Sequence, residues 1–138
     1  MALLKIIQII AVNFSFLIVA EPQLELKSFY DYHSKDIDGN IISISKYKGK
    51  KIQGVNVASN CAFTPQYKGL QELQKIYCNS LEVLGFPSND FFWQEPGSNQ
   101  EIIKFCEINY GITFQMFEKI HVKGKKQHPL YNWLSDSE

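Results

Sequence analysis

Cys61 is the residue in this chain best placed to do chemistry. It follows a mostly apolar run, residues 52–58, that reads as a strand. It precedes Thr64 and Pro65, which read as the start of a helix. Sites in open α/β sheets lie at the carboxyl ends of strands. A helix start turns unpaired N–H groups toward such a spot, which favours a thiolate over a thiol. Position alone leaves two readings equally open: a reactive thiol, or a small buried residue filling a gap.

The other cysteines, Cys78 and Cys106, sit in apolar or helical surroundings with no Cys-x-x-Cys spacing, so a general disulfide oxidoreductase is disfavoured. The histidines, His33, His121 and His128, read as solvated imidazoles in turns or at edges. No two Cys or His stand at zinc-finger spacing, so no metal site is expected. The string DIDGN at 36–40 lacks the further acidic ligands of a calcium loop and reads as a turn.

The elements that must position Cys61 follow from periodicity. Apolar runs at 29–32 and 41–44 flank Asp38-Gly39-Asn40 and predict a hairpin. The 52–58 strand reads as buried on both faces, although Gln53 and Gly54 weaken it. Burying an unpaired Gln53 amide would cost about 1–3 kcal/mol. Tyr67, Leu70, Leu73 and Ile76 recur every three residues, one face of an amphipathic helix N-capped by Thr64. Residues 81–86 predict a second buried strand and 87–97 a loop. Ser98 and Glu101 form a capping box for a helix carrying Ile102, Phe105, Cys106 and Ile108, which Gly111 closes. A third strand is expected within 114–122 and a short helix at 129–134. Strands alternating with helices argue for a parallel or mixed sheet with helices on its faces.

Composition bounds the function. A chain of 138 residues is one domain. Fourteen Lys and Arg balance fourteen Asp and Glu, and no basic cluster interleaves with aromatics, so a nucleic-acid partner is not expected. Hydrophobic content of 45% supports an apolar core. Three cysteines are too few and too odd a number for a disulfide scaffold. Residues 1–20 stand apart: Lys5 is their sole charge, residues 6–20 are mostly apolar, and Ala20 is small. That pattern predicts a cleaved signal peptide, hence an exported protein whose domain spans 21–138. A membrane anchor is less favoured, because the run is short of the ~20 apolar residues that span a bilayer.

Several motifs in order resemble the glutathione peroxidase family. NVASNCAFTPQYKGLQELQ (56–74) is similar to its first signature and GFPSNDFFWQEPGSN (85–99) to its second. SFYDYHSKDIDGNIISISKYKGK, EIIKFCEINYGITFQMFEKIHVKG and HPLYNWL extend the likeness over residues 28–134. It is nearest the bacterial-type, cysteine-containing branch. The resemblance implies a thioredoxin-like fold, a central mixed sheet flanked by helices. It implies thiol-dependent reduction of hydrogen peroxide or organic hydroperoxides in oxidative-stress defence, with no bound cofactor and with glutathione or a thioredoxin-like protein as reductant. It places Cys61 at the peroxidatic position and Gln94 at the catalytic glutamine. Asn89 matches a loop residue expected to make local hydrogen bonds. Cys106 falls one residue, about 100° around a helix, from the resolving cysteine of thioredoxin-dependent members.

The chain also departs from the family. Ser88 and Asp90 replace the cysteine and glutamine of a family FPCNQF motif. The family's Trp-Asn pair lies beyond the equivalent of Leu134 and has no match before Glu138; Asn132-Trp133 has the reverse order. The resemblance therefore implies a fold lacking its last strands and helix, with an exposed sheet edge. A catalytically degenerate remnant or binding module is the competing expectation.

Overall fold

The computed structural model describes residues 27–136, and the expected signal peptide lies outside them. Two strands, β1 (His33–Lys35) and β2 (Ile41–Ser43), pair antiparallel with Ser34 opposite Ile42. Their turn is organised by Asp36, whose carboxylate accepts from the Asp38 and Asn40 backbone N–H groups at 3.0 and 2.8 Å. Gly39 supplies the positive φ, +91°, that the turn needs. The strand expected at 29–32 starts later. Ser28 and Asp31 cap each other's backbone, which winds Phe29–Asp31 into a 3-10 turn and delays extension to His33.

The main sheet is parallel, in the order β3 (Lys51–Val57), β4 (Leu81–Pro87), β5 (Gln115–Met116). Parallel neighbours require crossovers. These are α1 (Tyr67–Tyr77), entered through a 3-10 turn at Thr64–Gln66, and α2 (Asn99–Tyr110). The β1–β2 hairpin joins beyond β5 through an antiparallel bridge, Asp36 to Phe117, and through Ile37 N–H to Met116 C=O at 3.0 Å. The whole is a mixed α/β arrangement. A last helix, α3 (Pro129–Asp136), covers the opposite face. None of the described helices is long and apolar enough to cross a membrane.

β4 is the spine, with Val83, Leu84 and Phe86 buried. Its alternate residues feed two cores. Val83 meets Tyr67, Ile102, Cys106 and Met116 on the α1/α2 side. Leu84 and Phe86 meet Ile44, Phe117 and Leu130 on the other, where the Phe86 and Phe117 rings stack 4.5 Å apart. Gly85 fits between because a Cβ there would lie 2.5 Å from Met116 Sδ.

β3 is not buried on both faces. Among the described residues it pairs with β4 alone, so it is an edge strand, and Gln53, Gly54 and Asn56 face solvent. The cost of burying the Gln53 amide therefore does not arise. α1 buries Tyr67, half-buries Leu70 and Leu73 and leaves Ile76 exposed. α2 has the expected ends: Ser98 N–H donates to Glu101 at 2.7 Å, and Gly111 closes the helix in the left-handed region. The third strand is shorter than its apolar pattern. Phe117 N–H bonds Gly85 and Ile120 N–H bonds Pro87, so one residue is extra between them. The Lys119 N–H turns instead to Asn99 Oδ1 at 3.0 Å, and the ladder stops.

Candidate active site

The register Val57 opposite Pro87 ends β3 and β4 at the same height. The segments leaving both strands therefore share one end of the sheet, and they carry Cys61 and Gln94. A short turn fixes Cys61. Thr64 Oγ1 accepts from the Cys61 N–H at 2.9 Å and donates to the Ala58 carbonyl at 2.8 Å, while Thr64 N–H returns to the Cys61 carbonyl at 3.0 Å. Thr64 thus holds the cysteine turn rather than capping α1; the residue before the 3-10 turn is Phe63, which makes no side-chain cap. The Phe63 N–H points at Cys61 Sγ from 3.4 Å.

Gln94 is tied to this turn through the backbone, its carbonyl accepting from Asn60 N–H at 3.0 Å. The next residue makes a second tie. Glu95 is 1% exposed, and its carboxylate accepts from Ser59 N–H at 2.7 Å and Ser59 Oγ at 3.0 Å. Burial pushes the Glu95 carboxyl above its ordinary range, against the Ser59 hydrogen bonds and the Lys119 charge. Asn89 Oδ1 accepts from Glu95 N–H at 2.9 Å, and Lys119 Nζ donates to the Glu95 and Gly97 carbonyls. Farther out, Asp90 accepts from Val122 N–H at 2.7 Å and pairs with His121 Nδ1 at 2.7 Å.

Cys61 and Gln94 line one half-open cavity of about 420 Å³ with Val55, Phe63, Tyr67, Leu70 and Phe92. The Gln94 amide makes no hydrogen bond among the described residues, which leaves its N–H donors for a ligand.

Cys106 lies elsewhere, fully buried on α2 in the core that includes Tyr67. Burial pushes its thiol up to about 11. Cys78 is exposed just beyond α1. The three histidines are not equally solvated. His33 is exposed, His121 pairs with Asp90, and half-buried His128 accepts the Leu130 N–H at the start of α3. Trp133 packs on Phe29 and Tyr32 and donates to the Lys27 carbonyl, away from the cavity. Among the described residues no group of three or more His, Cys, Asp and Glu could hold a metal. Glu95 and Thr64 are the site-building residues that motif reasoning missed. A hydroxyl three residues after Cys61 was a readable sign for Thr64; nothing local marks a carboxylate for burial.

A cysteine at the strand-to-helix junction of a parallel sheet, lining the same apolar cavity as a loop glutamine, defines a thioredoxin-like protein with a candidate reactive thiol. The comparisons make the class specific. The glutathione peroxidase family model matches residues 29–135, and the chain belongs to that family. It is 51% identical over 108 residues to a glutathione peroxidase of Lactococcus lactis subsp. cremoris, covering 78% of this chain and 69% of that one. It is 50% identical over 110 residues to a glutathione peroxidase-like peroxiredoxin of Schizosaccharomyces pombe, covering 79% and 70%. The crystal structure of Trgpx in apo form superposes with a TM-score of 0.61 at 36% identity, over 82% of this chain and 66% of that one. This chain thus spans about two thirds of the length of these relatives.

Proposed function

We propose that this protein is a thiol-dependent peroxidase in oxidative-stress defence and that Cys61 is its peroxidatic residue. The Cys61 thiolate attacks the terminal oxygen of a hydroperoxide. The S–O bond forms as the O–O bond breaks, and the leaving alkoxide or hydroxide takes a proton to depart as alcohol or water. The sulfenic acid then condenses with a thiol, releasing water, and a second thiol frees Cys61 as the reductant's disulfide. Gln94 donates its amide hydrogens to the charge that develops on the departing oxygen, without itself titrating.

The observation that carries this reading is the meeting of Cys61 and Gln94 at one cavity, tied through Asn60 to Gln94. No bound cofactor takes part in these steps; the electrons come from glutathione or a thioredoxin-like protein. Burial of Cys106 favours an external monothiol such as glutathione, since a Cys61–Cys106 bridge would need α2 to open locally. The apolar leader supports export, to a periplasm or outside the cell, which the N-terminal residue of natively made protein would test.

The test of function is rapid mixing with stoichiometric hydroperoxide, followed by intact mass. Cys61 should gain one oxygen far faster than Cys78, and Cys61→Ser should abolish turnover with either reductant. Turnover retained in Cys61→Ser, or a Cys61 no faster than free cysteine, refutes the proposal and leaves a degenerate family member.

A further inference from the structure

β3 leaves a row of backbone hydrogen-bonding groups unpaired. Lys51 N–H donates to the Ser80 carbonyl at 2.9 Å, and the Val57 carbonyl accepts from Ser88 N–H at 3.1 Å, so the odd-numbered residues of β3 turn their backbone groups to β4. Backbone groups alternate sides along a strand, so Ile52, Gly54 and Asn56 turn theirs outward. Among the described residues no strand pairs with that side, and Gly54 and Asn56 are exposed. Such edges template pairing with another chain, and proteins usually blunt them with proline, a bulge or charge. β3 has no proline, its seven residues run in unbroken register against β4, and Lys51 is its only charge. The outward row is also symmetric about Gly54. An antiparallel copy centred there sets Gly54 against Gly54 and Ile52 against Asn56, each pair exchanging two N–H···O bonds, so every outward group is satisfied. The two Lys51 side chains then stand at opposite ends of the ribbon, about 20 Å apart, whereas a parallel in-register pairing would set them side by side.

We propose that the free edge of β3 is an interface for a second copy of this chain, the two β3 strands pairing antiparallel about Gly54 into one continuous sheet. The same pairing adds a residue to the site. Val55, Asn56 and Val57 line the cavity together with Cys61. In this register Lys51 of the second copy stands opposite Val57, on the same face of the sheet, and brings a positive charge to the cavity mouth. The chain's own Lys51 lies at the far end of β3, about 20 Å from Val57. Neither the pairing nor the added charge depends on Cys61 being peroxidatic.

Two measurements test this. The first is sedimentation of the full chain over a range of concentrations. A dimer is expected, with the Ile52, Gly54 and Asn56 amides protected from hydrogen exchange. Gly54→Lys and Gly54→Glu each set like charges directly opposite one another in that dimer. The Cβ they add meets nothing within 4 Å, so β3 has room for either. Each variant alone should be monomeric and the equimolar mixture dimeric, a recovery that damage to β3 would not give. A dimer untouched by either variant lies on another surface and overturns the proposal. So does a mixture that stays monomeric. A monomer at every concentration overturns it too, whether its three amides exchange freely or are covered by another segment of the same chain. The second measurement reads the added charge. Cys61 is alkylated with anionic iodoacetate and with neutral iodoacetamide, and peptide mass separates it from Cys78. Lys51→Met should lower the ratio of the two rates severalfold in the dimer and leave it unchanged in the monomeric Gly54→Glu background. A ratio that falls in both or in neither overturns the register about Gly54. Peroxide turnover enters neither readout, so the peroxidase reading stands or falls separately.

Discussion

Glu95 offers the sharpest test of how the site is held. Its carboxylate is the acceptor for both the N–H and the hydroxyl of Ser59, two residues before Cys61. Truncation to alanine removes both bonds and leaves a part-buried N–H without its partner. Hydrogen bonds to a charged group contribute about 1.5–3 kcal/mol each. Relief of the buried charge offsets part of that loss, so Glu95→Ala should cost about 2–4 kcal/mol. Glu95→Gln keeps an acceptor oxygen and loses only the charge, so it should cost about 1 kcal/mol or less near neutrality.

The pH dependence separates the two contributions. Burial raises the Glu95 carboxyl in the folded protein, while the unfolded chain titrates near the usual value of about 4.3. Between those two values the folded state holds a proton that the unfolded state has released, so the stability Glu95 contributes at acid pH is lost as pH rises. Glutamine has no such slope. The stability of Glu95→Gln relative to the unaltered protein should therefore improve as pH rises from about 4.3 through the raised folded value. Urea unfolding of both proteins across that range, read by circular dichroism, measures the difference. A relative stability that worsens as pH rises would mean that the ionised carboxylate is favoured in place, and the burial argument would be wrong.

Thr64→Val should cost about 1–3 kcal/mol, because the Cys61 N–H and the Ala58 carbonyl both lose a partner. Peroxide oxidation of Cys61 should slow with it and recover in Thr64→Ser, as rapid-mixing kinetics would show. Asp90 titrates the other way from Glu95: burial opposes ionisation, but hydrogen bonds from His121, Val122 and Lys123 outweigh it and hold the carboxyl below its usual range. Its stabilisation is present above the unfolded value of about 3.9 and is lost as pH falls through the folded one, so the cost of Asp90→Asn should shrink in acid urea titrations. Gly111→Ala should cost about 1 kcal/mol in thermal unfolding, all of it backbone, since φ is +59° and no atom lies within 4 Å of the added Cβ.

What could be read from the sequence was what is decided locally. α2 was legible at both ends because Ser98, Glu101 and Gly111 each act on their own turn. β4 was legible because, apart from Glu82 near its start, its run from Leu81 to Pro87 carries no polar side chain. The position of Cys61 at the strand-to-helix junction was equally local. β3 was misjudged because burial belongs to a strand's neighbours. Gln53 and Asn56 were signs of an edge, and no local rule distinguishes an edge from a weak centre. The Phe92–Trp93 turn was hidden because its positive φ values fall on residues that ordinarily avoid them.

The convergence of Cys61 and Gln94 is of a different kind. Thirty-three positions separate them, and no spacing rule joins them. What joins them is the parallel register of β3 and β4: once Val57 stands opposite Pro87, the two exits share an end of the sheet. Ser59–Glu95 and Asn60–Gln94 then lock the exits side by side. A one-residue slip would turn the side chains of one strand to the opposite face and move its exit relative to the other. The alternating burial of Val83 and Leu84 in separate cores resists that slip. The core of β4 is thus part of the site's machinery, although none of its buried side chains needs to meet a peroxide.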